Sequence, residues 1–223
     1  MNWQNIINSL PGIILGLTLH EFCHAWASYK LGDTTARDMG RLTFNPLKHI
    51  DPLGFLFIIF AGFGWARPVQ FSPANLKKPR RDKALIAAAG PLSNFLLAMV
   101  FILLVKAYLA LRVHFMVSEN WELFSLFNSS FSIILVGILL QTAQINLGLF
   151  VFNLIPIPPL DGSHIAFSGL NLRPETESQI MKIGTPLLFI IIIIQNRTSL
   201  TILPIGRLVW LMLRFFIPEL GTS

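Results

Sequence analysis

The chain has 223 residues, of which 53% are hydrophobic and only 13% charged, whereas soluble domains carry about a quarter charged residues. With a mean hydropathy of +0.64, this balance excludes an ordinary soluble domain and points to an integral membrane protein whose helices satisfy their own backbone groups. The net charge of +6 gathers beside apolar runs without interleaved aromatics, so it reads as membrane-surface anchoring with no nucleic-acid partner; a single cysteine allows no internal disulfide.

The first apolar run has no charged leader and no small-residue cleavage site before His20, so it is expected to be retained. Ser9 and Pro11 predict a helix from about residue 10, capped by Ser9 and ending at Gly32. Inside it stands His20-Glu21-Phe22-Cys23-His24. On a helix, His20 and His24 share one face a turn apart. There two imidazoles reach one Zn²⁺ at about 2.0–2.1 Å each. Glu21 projects roughly 100° round the helix, where it can take a proton from a zinc-activated water. From His20 to the helix end is about 18 Å, against a hydrocarbon core about 30 Å thick, so the metal would lie at bilayer depth. Facing lipid, these residues would be costly, which requires an inward-facing role. Cys23 reads as a packing residue.

Residues 30–51 form a polar, basic loop, placed on the cytoplasmic side. The apolar stretch 53–66 is short for a span and has basic residues on both flanks, from Arg41 and Lys48 before it to Arg67, Lys77 and Arg80 after it. Such flanks predict a re-entrant segment or β-hairpin near residues 53–72 that returns to the side it left. Residues 84–111 predict a second strong span, with small residues for close helix approach and Asn94 as interhelical glue. Residues 112–130 are assigned to the outer side. Residues 131–155 predict a third span, and its Gln141, Thr142, Gln144, Asn146 and Asn153 turn it toward the bundle interior. The prolines at 156, 158 and 159 unwind the chain and hold Asp161 on a rigid loop, with Gly162 permitting a turn. Residues 171–182 read as a polar connector, and 183–195 and 200–217 as further apolar segments. The fold class is therefore all-α: a bundle of about four to six transmembrane helices, with residues 1–223 as one membrane-embedded unit.

Two histidines leave zinc short of a third protein ligand. His49, His114, His164 and Asp161 remain open for that place, and spacing does not select Asp161 over His164. Taken together, His20-Glu21-x-x-His24, Gly90-Pro91-x-x-Asn94 and Asn153-x-x-Pro156-x-Pro158-x-x-Asp161-Gly162 resemble the site-2 protease family of intramembrane zinc metalloproteases, in its short form without a PDZ or CBS domain. The resemblance implies that His20, His24 and Asp161 bind zinc and that Glu21 is the general base. It also implies hydrolysis of peptide bonds within or next to the transmembrane helices of other proteins. Asn94 and Asn153 are candidates for an oxyanion or substrate contact, because an amide N–H can serve there in a dry site. The expected setting is the cytoplasmic membrane, multi-pass, with the active site in the bilayer toward the cytoplasmic side; the oligomeric state stays open. The competing reading is a transporter or channel with a buried metal site, disfavoured by few spans and no inverted repeat.

Overall fold

The computed structural model describes residues 3–61, 64–170, 172–198 and 200–221. Helix α1 spans Trp3–Lys30, starting earlier than the predicted position near residue 10. Pro11 lies inside it and removes one N–H from the ladder. In an apolar setting no water competes for the remaining bonds, so the helix continues through the proline. Ser9 is not a cap: its hydroxyl donates back to the Ile6 carbonyl at 2.7 Å. The predicted stop is where it was expected, with Gly32 at φ 108° and the Asp33 N–H closing on the Ser28 carbonyl at 3.1 Å.

The polar loop carries two short helices, α2 (Thr35–Asp38) and α3 (Pro46–His49). Helix α4 (Pro52–Ala61) follows, and residues 64–72 then run without regular structure as a strap. Ala66 bridges antiparallel to Ile50, and the Arg67 N–H donates to the His49 carbonyl at 2.7 Å. The apolar segment thus returns to the place it left as helix α4 and an irregular strap, with no β-hairpin among the described residues; residues 62 and 63 of that segment lie outside the described residues.

Helix α5 spans Pro79–Val117, 39 residues or about 58 Å, longer than the predicted 84–111 and than a bilayer core of about 30 Å. Then come α6 (Trp121–Phe127), α7 (Ser130–Asn153), α8 (Asp161–Leu170), α9 (Pro174–Arg197) and α10 (Ile205–Phe216). Much of the expected connector 171–182 is the start of α9, where Glu175 and Glu177 favour a helix N-terminus. Among the described residues there is no strand, and four helices are long and apolar enough to cross a membrane: Gln4–Lys30, Pro79–Val117, Ser130–Asn153 and Glu175–Arg197. The chain is an all-α, multi-pass membrane protein.

Helices α1, α5 and α7 pack against one another and form the centre of the molecule. Ala98, Ile102 and Val105 of α5 meet Ala143 and Leu147 of α7 and Leu213 of α10 in the main apolar core. On α1, Gly12 and Gly16 stand one turn apart facing α7, the close-approach spacing of membrane helices. A Cβ on Gly16 would lie 2.6 Å from Asn146 Oδ1, so only a bare backbone admits that amide.

Candidate metal centre

His20 and His24 sit on the buried face of α1, 6% and 8% exposed, with their Nε2 atoms 3.0 Å apart. The prolines after α7 end the helix at Asn153, and the chain restarts as α8 at Asp161. Asp161 is therefore the first residue of a helix and not a loop residue. Its Oδ2 stands 3.2 Å from His20 Nε2 and 3.3 Å from His24 Nε2. The ligand atoms of the three residues lie within 4.8 Å of one another.

Proton placement decides what this cluster can hold. His24 Nδ1 lies 2.7 Å from the Ile86 carbonyl, which only accepts, so the proton of a neutral His24 is on Nδ1. His20 Nδ1 lies 2.6 Å from Asn94 Oδ1, and the same reasoning applies. Both Nε2 atoms then present lone pairs, to each other and to a carboxylate oxygen. Asp161 Oδ2 is buried with no hydrogen-bond partner of its own. With both imidazoles neutral, these three acceptors repel one another unless a cation, a metal ion or a proton, sits between them. Two donors at about 2.0–2.1 Å from a tetrahedral ion stand roughly 3.3 Å apart, close to the separations found. Outward-facing Nδ1–H groups bound to a carbonyl and an amide oxygen are also how metal-ligating histidines are oriented. The residues fit a divalent ion. Gly90 of α5 leaves the space for the rings: a Cβ there would lie 2.3 Å from His24 Nε2 and 2.7 Å from His20 Cε1.

Glu21 is buried beside this cluster, and its Oε2 accepts the Val69 N–H at 3.0 Å. That contact lays the strap over the site. A cavity of about 390 Å³ is lined by His20, Glu21, His24, Asp161, Asn153 and His164, with strap residues on its other wall. Asn153 donates one amide hydrogen to the Leu149 carbonyl at 3.0 Å, and the other has no hydrogen-bond partner among the described residues. Asn94 has both amide hydrogens engaged, by the Gly16 carbonyl at 3.1 Å and Asn146 Oδ1 at 2.9 Å. It therefore stands behind His20 and not in the cavity. Of the histidines left open for the third ligand position, His164 shares the cavity but not the three-residue cluster. His49 is fully buried against the Thr43 carbonyl at 2.7 Å, and His114 is exposed in the last turn of α5.

The strap is tied down by Asp33, a residue read from sequence only as part of a loop. Its buried carboxylate accepts from Ser28 Oγ, the Thr35 N–H and hydroxyl, the Ser72 N–H and Asn75 Nδ2. Burial pushes this carboxyl up, but the bonds from Thr35, Asn75 and Ser72 outweigh burial and hold it well below the usual carboxylate range. Arg41 adds a further tie, donating to the Arg67 carbonyl. Asn146 was legible only as a polar residue on an inward-facing helix, and nothing in the sequence paired Val69 with Glu21.

Residues 9–194 match peptidase family M50. YwhC of Bacillus subtilis, named as a candidate zinc metalloprotease, is 43% identical over 153 residues, covering 69% of this chain and 64% of that protein. Rip2 of Mycolicibacterium smegmatis, named in the same way, is 32% identical over 174 residues, covering 75% of this chain and 58% of that protein. Rip2 of Mycobacterium tuberculosis is 29% identical over 173 residues, with the same coverage of each chain. The chain spans less than two thirds of the length of these curated relatives. No solved structure matches it.

Proposed function

The chain belongs to peptidase family M50, the site-2 protease family, and from that premise we propose that it is a zinc metalloendopeptidase cleaving membrane proteins within or beside their transmembrane helices. The observation that carries this reading is the convergence of His20 Nε2, His24 Nε2 and Asp161 Oδ2 within ligand distance of one point, next to the buried carboxylate of Glu21. Two imidazoles and one carboxylate make a catalytic type of ligand set, which leaves a position for water.

Zinc, when bound, supplies a lowered water pKa and a Lewis acid for the scissile carbonyl. Glu21 accepts the proton of the attacking water and returns it to the leaving amine. The Val69 N–H donates to that carboxylate and aims it. Asn153 offers its free amide hydrogen to the developing oxyanion from the cavity wall. Asn94 serves as the orienting partner of His20, since its own hydrogens are committed.

A substrate helix hides its carbonyls, so it must unwind before cleavage, and Gly, Pro or Asn near the bond lowers that cost. The unwound stretch pairs with the strap by strand addition. Ligands and cavity walls come from α1, α5, α7, α8 and the strap, so the described chain acts as one catalytic unit. Basic residues at the end of α1, just before α5 and at its start, among them Lys30, Lys77 and Arg81, support a cytoplasmic setting for that end of the bundle.

The test is metal analysis of purified protein together with cleavage of a panel of single-span substrates. Wild type and Glu21→Gln should both carry near-stoichiometric zinc. Cleavage should fall about 10²–10⁴-fold in the variant, the usual share of a general base. A wild type without zinc, or a Glu21→Gln protein that cleaves at the normal rate, overturns the reading.

A further inference from the structure

We propose that Asn146 on α7 is a positioning residue for the metal centre: by fixing which way round the Asn94 amide stands, it sets which nitrogen of His20 carries the proton. The inference rests on the reading of His20 as a zinc ligand, which it deepens.

An asparagine amide fits its space either way round, and only its partners choose. The choice here is made in sequence across three helices. Asn146 Nδ2 lies 2.9 Å from the Thr142 carbonyl of its own helix and 3.3 Å from the Gly12 carbonyl of α1. Both are acceptors, so the NH₂ must face them and Oδ1 must face Asn94. Asn94 Nδ2 then stands between that oxygen at 2.9 Å and the Gly16 carbonyl at 3.1 Å. This leaves Asn94 Oδ1 for His20 Nδ1 at 2.6 Å. His20 must donate to it, and its Nε2 lone pair is delivered to the metal site.

Without the Asn146 oxygen, Asn94 keeps only one of the two contacts that orient it. A flipped Asn94 would point its NH₂ at His20, requiring a lone pair on Nδ1 and a hydrogen on Nε2, where the metal must bind. Both asparagines are fully buried, 0% exposed, so no bulk water can take the place of the lost acceptor. Gly16 makes the arrangement accessible, because a side chain there would occupy the place of Asn146 Oδ1.

The experiment measures zinc affinity by chelator competition on purified, detergent-solubilised full chain, with thermal unfolding recorded alongside. Asn146→Leu should bind zinc about 10–100-fold more weakly, the usual effect of losing an outer-shell partner. Asn146→Asp, whose buried carboxyl stays protonated, donates to one carbonyl and still offers Asn94 an acceptor; it should stay within about threefold of wild type. The decisive arm is an Asn94→Asp background. The carboxyl of Asn146→Asp faces two carbonyls, whereas that of Asn94→Asp faces the His20 Nδ1–H, which favours its ionised form. A carboxylate presents acceptor oxygens to His20 whichever way round it stands, so adding Asn146→Leu there should change zinc affinity by less than about twofold. If Asn146→Leu weakens binding equally in both backgrounds, Asn146 is a packing residue and the inference is overturned. If a zinc-binding wild type is unaffected by Asn146→Leu, this inference alone falls. A wild type that binds no zinc removes the ligand reading and this inference with it.

Discussion

On one side of the metal centre, α1, α5 and α7 meet through small residues and a buried run of amides, Asn146 to Asn94 to His20. On the other side lies the strap of residues 64–72, held by separate ties: Val69 to Glu21, Ser72 to Asp33, Arg67 to the His49 carbonyl and to Arg41. The first wall is made by helix packing, so a ligand there moves only if a whole helix moves. The second is made by a few hydrogen bonds, each of which can be exchanged for another partner. The activity proposed above needs both: ligands held rigidly enough for a metal, and a cover that can open to a chain already freed from its own helix. The strap ties the Val69 N–H to Glu21, so under the proposed strand addition an arriving substrate would compete for the backbone of its own docking edge.

The largest effect should come from the rigid wall. Gly90→Ala places a Cβ 2.3 Å from His24 Nε2, with backbone on one side and a ring fixed by the Ile86 carbonyl on the other. Zinc content should drop from near one per chain to a small fraction, measured by elemental analysis, while the protein still enters membranes. Normal zinc content in that variant would mean that α1 and α5 are not held against each other as firmly as their packing implies.

The strap should respond differently. Val69→Pro removes the N–H given to Glu21 and the pairing edge together, and Phe71→Pro removes a pairing position two residues on. Both should cut cleavage at least about tenfold with zinc content unchanged. Unchanged cleavage in both would end the strand-addition step. Loss of zinc in either would erase the distinction between the two walls.

The smallest effect belongs to the Asp33 tie. In Asp33→Asn, an NH₂ replaces one of two oxygens that accept only from donors, a loss on the order of 1–3 kcal/mol. It should appear as faster protease nicking of residues 64–75, with zinc retained. The pH dependence follows the same group. Its folded pKa lies below its unfolded value of about 3.9, so its stabilisation is fully present above about pH 4 and is lost as pH falls toward the folded value. Wild-type strap protection should therefore weaken in acid, and Asp33→Asn should show no such acid step.

The bundle and the residues able to hold a metal were legible in the sequence, and their arrangement was not. Long apolar runs can only be helices in lipid, and two histidines four apart must share a face of a helix. The choice of Asp161 over His164 was not open to spacing, because the two stand within one turn of α8 and only the angle at which that helix meets α1 decides which points inward. The roles of Gly16, Asn94 and Asn146 depend in the same way on the rotation of three helices about their own axes. A nearly uniform apolar composition leaves that rotation unmarked, since lipid and core look alike to a leucine. The bond from Val69 to Glu21 joins residues 48 apart in sequence through an irregular strap with no periodic pattern to read. By itself the sequence determined that helices form, roughly where they stop, and which side chains could hold a metal, because these follow from local backbone geometry and from the cost of polar groups in lipid. Only the tertiary structure decided which of those side chains meet, which amide stands behind which imidazole and what lies over the base, because these are set by contacts between segments far apart along the chain.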